Sequence, residues 1–296
     1  MSGVPVARSS HSARPQGARS DASYFRLMTV TRSDSDALPR AVRSSAPAIA
    51  AGTLLAASTV LGTVGVRPFR ERVLERRATL NDTLPVHSKW WRDHGKTDGE
   101  LLYVAIGDSA AQGIGASRPD RSYVGLIAEH AREASGRSIR VMNLSVSGAT
   151  TELAVRDQLP RFRSLQPDLV TVAIGANDIA GWIPASFERN IRSIFAELPS
   201  HAIVADLPCF HLRHNERKVV EANRMLRAIA DEYGLTVVPL HELTRRRGLR
   251  GILTEFANDM FHPNDHGYRV WADAFGRAVE ARVSSPHPLP AGQSAT

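Results

Sequence analysis

The chain has 296 residues, 43% hydrophobic and 23% charged, an ordinary globular composition; its single cysteine, Cys209, excludes an intrachain disulfide framework and a four-cysteine zinc site. The net charge of +7 is confined to residues 1–80, which hold 12 Arg, no Lys and 5 acids (12 − 5 = +7), while residues 81–296 balance 25 bases against 25 acids. A groove for nucleic acid would need that charge on the folded domain, so nucleic acid is not an expected partner.

In chain order, residues 1–43 are rich in Ser, Arg, Ala and Pro, lack helical or strand periodicity, and read as a disordered basic segment. Residues 44–66 follow, 23 positions without a charge between Arg43 and Arg67. That length crosses a bilayer at about 1.5 Å per residue. Because the run is dominated by Ala, Gly, Ser and Thr, three readings stand: a membrane anchor, which is favoured, a cleaved signal segment, or a soluble helix packed on the domain. More arginines follow the run (Arg67, Arg70, Arg72, Arg76, Arg77) than precede it (Arg32, Arg40, Arg43), which by the positive-inside rule places the downstream domain in the cytoplasm. Residues 67–100 read as a basic helical linker, and 284–296, with Ser, Pro and Gly, as a disordered tail.

Residues 101–283 read as one folded unit. Five continuous apolar runs, at 101–106, 139–144, 169–174, 202–207 and 235–240, are short enough to be buried strands. Helical patterns alternate with them at 122–135, near 151–159, and at 186–198, 216–233 and 265–283. Continuous rather than alternating apolar strands, separated by helices, imply a parallel sheet covered on both faces.

In such sheets, sites form beyond the carboxyl ends of the strands. The first strand is followed by Gly107-Asp108-Ser109-Ala110-Ala111-Gln112-Gly113, the second by Asn143-Leu144-Ser145-Val146-Ser147-Gly148, and the third by Gly175-Ala176-Asn177-Asp178; Asp259-Met260-Phe261-His262-Pro263 precedes the last helix. Acyl transfer needs each of these types of group. A serine hydroxyl is a weak nucleophile until a base takes its proton, and an imidazole is suited to accept and return it near neutral pH. Asp259, three residues before His262, is placed to fix the imidazole tautomer. The backbone N–H groups of Ser109 and Gly148 and the Asn177 amide are candidate donors to a developing oxyanion.

These four segments resemble the four signature blocks of the SGNH (GDSL-type) hydrolase family, with Ser109, Gly148, Asn177 and His262 in order across residues 101–283. The resemblance implies a flavodoxin-like three-layer α/β/α sandwich with a five-stranded parallel sheet. It further implies hydrolysis of small-molecule or lipid esters or thioesters without a metal or organic cofactor. In that reading Ser109 is the nucleophile, His262 its base and Asp259 the orienting acid, with Ser109, Gly148 and Asn177 forming the oxyanion hole. Met260 departs from the pattern, where many relatives carry a small residue; it narrows the rim and removes no catalytic group. A tethered esterase is expected to face outward, against the arginine count, so the side of the membrane is left open.

Other assignments compete. A serine after a strand is usually a helix cap, and only the combination of blocks overturns that for Ser109. Asp108 and Asp178 fit loop-bracing better than chemistry. His262 and His266, with Asp259 and Asp265, have metal-ligand spacing but lack a second cluster to complete a site. Trp182, Ile183 and Phe210 either line an acyl pocket or pack at its rim. Acyl transfer to a sugar or lipid, glycan deacetylation, and a silent binding domain on the same fold are the rival functions.

Overall fold

The computed structural model describes residues 82–211 and 213–284. The expected disordered arm, the 44–66 span, the basic start of the linker and the tail beyond 284 lie outside the described residues. Strands β1 (Leu101–Gly107), β2 (Ile139–Asn143), β3 (Leu169–Ala173), β4 (Ile203–Ala205) and β5 (Thr236–Val238) form one all-parallel sheet in the order β2-β1-β3-β4-β5. The helices are α1 (Leu84–His94), α2 (Ser109–Gln112), α3 (Tyr123–Ser135), α4 (Thr151–Asp157), α5 (Leu159–Phe162), α6 (Pro184–Phe195), α7 (Arg213–Glu232), α8 (Leu240–Thr254) and α9 (Asp265–Ser284).

The strands are apolar at consecutive positions because both faces are covered. Val104 and Ile106 of β1 join Val170, Val172 and Val204 in a core closed by α4, α5, α6 and α7, including Phe162, Phe187 and Leu226. Tyr103 and Ala105 point the other way, into a core closed by Tyr123 and Ile127 of α3 and by Tyr268, Trp271 and Phe275 of α9. The result is a three-layer α/β/α sandwich of flavodoxin-like strand order. Its topological switch point falls between β1 and β3, where register pairs Gly107 with Ala173 and brings the two carboxyl ends level. Local signals set the helix ends. Ser122 caps α3 by accepting the Gly125 N–H at 3.2 Å, and the helix stops at the left-handed Gly136.

Two segments differ from expectation. The fifth strand is only three residues long, because Leu240 turns inward to open α8 after Pro239. Helix α8 carries no readable apolar stripe: within it only Leu240 and Gly251 are buried, Leu249 and Leu253 are exposed, and Gly248 breaks the helical dihedrals at φ 50°. Second, α1 lies inside the segment read as linker yet packs on the domain, so the packed chain begins ahead of residue 101. Its sequence is mostly polar, and only His87 and Trp91 are buried. Hydrogen bonds hold it instead: Trp91 Nε1–H donates to the Gln112 carbonyl at 3.0 Å, and His87 Nδ1 meets the same oxygen at 2.9 Å. Among the described residues no helix is long and apolar enough to cross a membrane.

Candidate active site

The chain leaves β1 through Asp108 and turns at once into α2, placing Ser109 at its first position. Asp108 is the N-cap: its Oδ1 accepts the Ala110 N–H at 2.9 Å. From the far end of the sequence, the loop before α9 brings His262 over this turn, with Nε2 2.9 Å from Ser109 Oγ. On the opposite side of the ring, Nδ1 lies 2.6 Å from Asp259 Oδ2. The other Asp259 oxygen accepts the N–H groups of Phe261 (3.1 Å) and His262 (3.0 Å), so the carboxylate is held by the loop it orients. Met260 completes that tight loop with a left-handed φ of 55° and points outward. Ser109, His262 and Asp259 are all buried.

The electrostatics fix the direction of the hydrogen-bond chain. Burial works to raise the Asp259 pKa, but the hydrogen bond and charge of His262, with the two loop N–H groups, outweigh it and hold the carboxyl below its ordinary value. An ionised Asp259 only accepts, so the imidazole proton sits on Nδ1 and the Nε2 lone pair faces the Ser109 hydroxyl. The arrangement can therefore draw a proton from Ser109 Oγ. Asp108 is tuned the other way: burial pushes its carboxyl up to about 6, against the Ala110 N–H and the charge of His262.

The other two blocks meet the same turn. Gly148 adopts φ 75°, a conformation that a side chain would strain, in the loop after β2. Neither its N–H nor that of Ser109 has a protein acceptor among the described residues. Asn177 reaches the site because Gly175, at φ 115°, turns the chain after β3; a Cβ there would come within 2.8 Å of Phe187. The Asn177 amide donates to the Ala149 carbonyl at 2.9 Å and more weakly to Asp108 Oδ2 at 3.3 Å, so it ties the Gly148 loop to the Ser109 loop. Asp178 braces α4, its carboxylate accepting the Thr151 N–H (2.9 Å) and hydroxyl (2.6 Å). Asp108 and Asp178 thus both act as loop braces.

Three amide side chains hold this scaffold: Gln112 and Asn143 stand in the polar runs after the first two strands with no role read for them, and Gln158 has no sequence signal beyond being polar within apolar surroundings. Gln158, fully buried, donates to the Gly107 carbonyl (2.8 Å) and accepts its N–H (3.1 Å), which closes the end of β1. Gln112 donates to the Ser145 carbonyl (2.6 Å), and Asn143 donates to the Ala111 carbonyl (2.7 Å); together they lock the second block to α2. Trp182 and Phe210 pack against the core, while Ile183 is exposed. The alternative metal pairing does not converge: both His262 nitrogens are engaged, and His266 Nδ1 faces Arg269 Nη2 at 2.8 Å.

A parallel α/β sandwich with a serine, histidine and aspartate joined at its carboxyl edge is a hydrolase architecture. Residues 105–270, more than half of the chain, match the GDSL-like lipase/acylhydrolase family, and the chain belongs to that family. Among solved structures it is similar to LAE5, an α/β hydrolase enzyme from the metagenome of Lake Arreo, Spain, at 23% identity over 64% of this chain and 99% of that one, with a TM-score of 0.51. It is also similar to a catalytic mutant of Axe2, an acetylxylan esterase from Geobacillus stearothermophilus, at 22% identity over 62% and 96% with a TM-score of 0.50. TesA matches at 24% identity over 61% and 99%, TM-score 0.50. At these identities the likeness is one of fold. No curated protein sequence matches the chain.

Proposed function

We propose that the protein is a serine esterase that hydrolyses carboxylic esters or thioesters through an acyl-enzyme. The observation that carries this reading is the unbroken chain from Ser109 Oγ to His262 Nε2 (2.9 Å) and from Nδ1 to Asp259 (2.6 Å). Ser109 Oγ attacks the acyl carbon as His262 takes its proton. The oxyanion is met by the N–H groups of Ser109 and Gly148 and by the Asn177 amide. His262 then gives the proton to the leaving alcohol or thiol, and the same base activates water to release the acid. Donors fixed before the reaction cost nothing to reorganise when charge develops, which is the main source of acceleration in such sites.

A fluorophosphonate probe tests this directly. It should label the wild type once, on Ser109, and leave Ser109→Ala unlabelled; a protein that is folded yet unlabelled is a binding domain on this fold, not an esterase. A panel of p-nitrophenyl esters from acetate to palmitate then sets the acyl size. Short to medium chains are expected, since no long apolar insertion interrupts the 101–283 unit to cover the site. Residues 44–66 are proposed to anchor the enzyme to a membrane, on the strength of their uncharged length between arginines.

A further inference from the structure

We propose that Cys209, Glu216 and His241, with His211 beside the sulfur, form a binding site for one zinc-class divalent cation, sharing no residue with the Ser109–His262–Asp259 chain. The loop after β4 supplies Cys209 and His211, the first turn of α7 supplies Glu216, and the first turn of α8 supplies His241. The ligand atoms of Cys209, Glu216 and His241 all lie within 4.8 Å of one another. Cys209 Sγ and His211 Nδ1 are 3.6 Å apart. Zinc bonds of about 2.3 Å to sulfur and 2.0–2.1 Å to nitrogen, at a tetrahedral angle, separate the two ligands by about 3.6 Å. That pair has the spacing of two zinc ligands, and His211, which lies outside the group of three, would swing toward Glu216 and His241 to join it.

Glu216 Oε1 and His241 Nε2 are closer, at 2.7 Å, because a proton lies between them. Two tetrahedral ligands need about 3.4 Å, so binding would open this pair by about 0.7 Å. The proton balance is simple. Cys209 releases its thiol proton to solvent, and the His241 proton moves from Nε2 to Nδ1. A dication with one thiolate and one carboxylate is then neutral, which suits a site where Cys209 is buried and the His241 and Glu216 side chains are 13% and 23% exposed.

The Glu216 carboxylate is oriented by a further contact, as metal ligands usually are, and the backbone at Cys209 and His241 is pinned by two more. The second Glu216 oxygen accepts the Phe210 N–H at 2.8 Å, Cys209 N–H donates to Thr244 Oγ1 at 2.9 Å, and His241 N–H donates to Asp206 Oδ1 at 2.6 Å. His211 holds a left-handed φ of 56° that brings its ring to the thiol. One sulfur, one imidazole and one carboxylate give three protein ligands and leave the fourth tetrahedral position to water or, after a swing of its ring, to His211. The site would fasten the β4 loop to α7 and α8. It would also back the His262 loop, since the His211 ring lies edge-on to Phe256, which bridges to Pro263.

Cobalt(II) titration of the purified full-length protein reads the site. One equivalent should bring a thiolate-to-cobalt charge-transfer band in the near ultraviolet with tetrahedral d–d bands in the visible, and zinc should displace both. Cys209→Ser and His241→Ala should lose the bands, and Glu216→Gln should weaken binding at least tenfold, whereas Ser109→Ala should bind as the wild type does. No charge-transfer band, or an equal band in Cys209→Ser, overturns the proposal. Should the variants fail to fold, the wild type suffices: its only thiol is Cys209. Zinc must then slow iodoacetamide labelling at least tenfold and raise Tm, and an unchanged labelling rate rejects the site. Esterase activity enters none of these readouts, so the metal site and the esterase reading succeed or fail separately.

Discussion

Ser109 and His262 stand 153 positions apart in the sequence, and the proposed mechanism uses them only as a pair. Ser109→Ala and His262→Ala should therefore each lower kcat by about 10⁴-fold or more, and the double variant should be scarcely worse than either. Near-normal hydrolysis by one single variant rejects the mechanism. Asn177 offers a finer test, because both amide protons already have acceptors, one of them only the long contact to Asp108. An oxyanion would compete with that long contact. Asn177→Ala should lose about 10²–10³ in kcat with little change in KM. Asn177→Asp should be worse and also less stable, since its carboxylate would face Asp108 and the Ala149 carbonyl. Measuring kcat beside a melting curve separates the roles: a normal kcat with a lowered Tm makes Asn177 a brace alone. At this scale the sequence was most readable, because turns that aim polar groups from strand ends need particular residues at fixed positions. In their supporting roles, the amides of Gln158, Gln112 and Asn143 were not readable. Their partners are backbone atoms brought near by tertiary packing, and no local spacing encodes that.

The strands and the helices between them announce themselves through burial, which demands continuous apolar runs in β1 and β3 and a helical period in α3, α6 and α9. Helices α1 and α8 stayed hidden because they bury little. In α1 the two buried side chains, His87 and Trp91, meet at the Gln112 carbonyl, next to α2 and hence to Ser109, and Ser88 bonds the Gln112 side chain. Trp91→Ala should cost about 3–5 kcal/mol through lost burial, and Trp91→Phe, which keeps the ring but not the donor, about 1 kcal/mol. Equal urea midpoints for Trp91→Ala and the wild type would make α1 a passenger. Helix α2 carries a pH signature through its cap. The folded Asp108 titrates near 6, above its ordinary value of 3.8, so between those values the folded state keeps a proton that the unfolded chain has lost. Stability then falls as pH rises from about 4 to 6, by up to about 3 kcal/mol from this group. Asp108→Asn keeps an oxygen for the Ala110 N–H and cannot titrate. Its ΔG from urea melts should lack that component, and the same pH slope in variant and wild type would show that the slope belongs to other groups.

Across the whole molecule, charge divides close to the start of the described residues. Residues 81–296 carry no net charge and contain both cores and the candidate site, whereas residues 1–80 carry the entire +7 and the uncharged 44–66 run. Both described cores lie within residues 82–284, so a cut before α1 rather than at β1 leaves them whole. The anchor reading and the packed-helix reading of 44–66 then predict different outcomes. If the run is an anchor, full-length protein pellets with membranes and resists high salt, because its attachment is apolar rather than electrostatic. Removing residues 1–81 should move the enzyme to the supernatant with kcat on a water-soluble ester unchanged within about twofold. If the run instead packs on the domain, the full-length protein is already in the supernatant, and truncation lowers Tm by exposing the surface it covered. A pellet that dissolves in high salt is a third outcome. It would assign membrane attachment to the twelve arginines acting on anionic lipid and remove the case for a spanning segment.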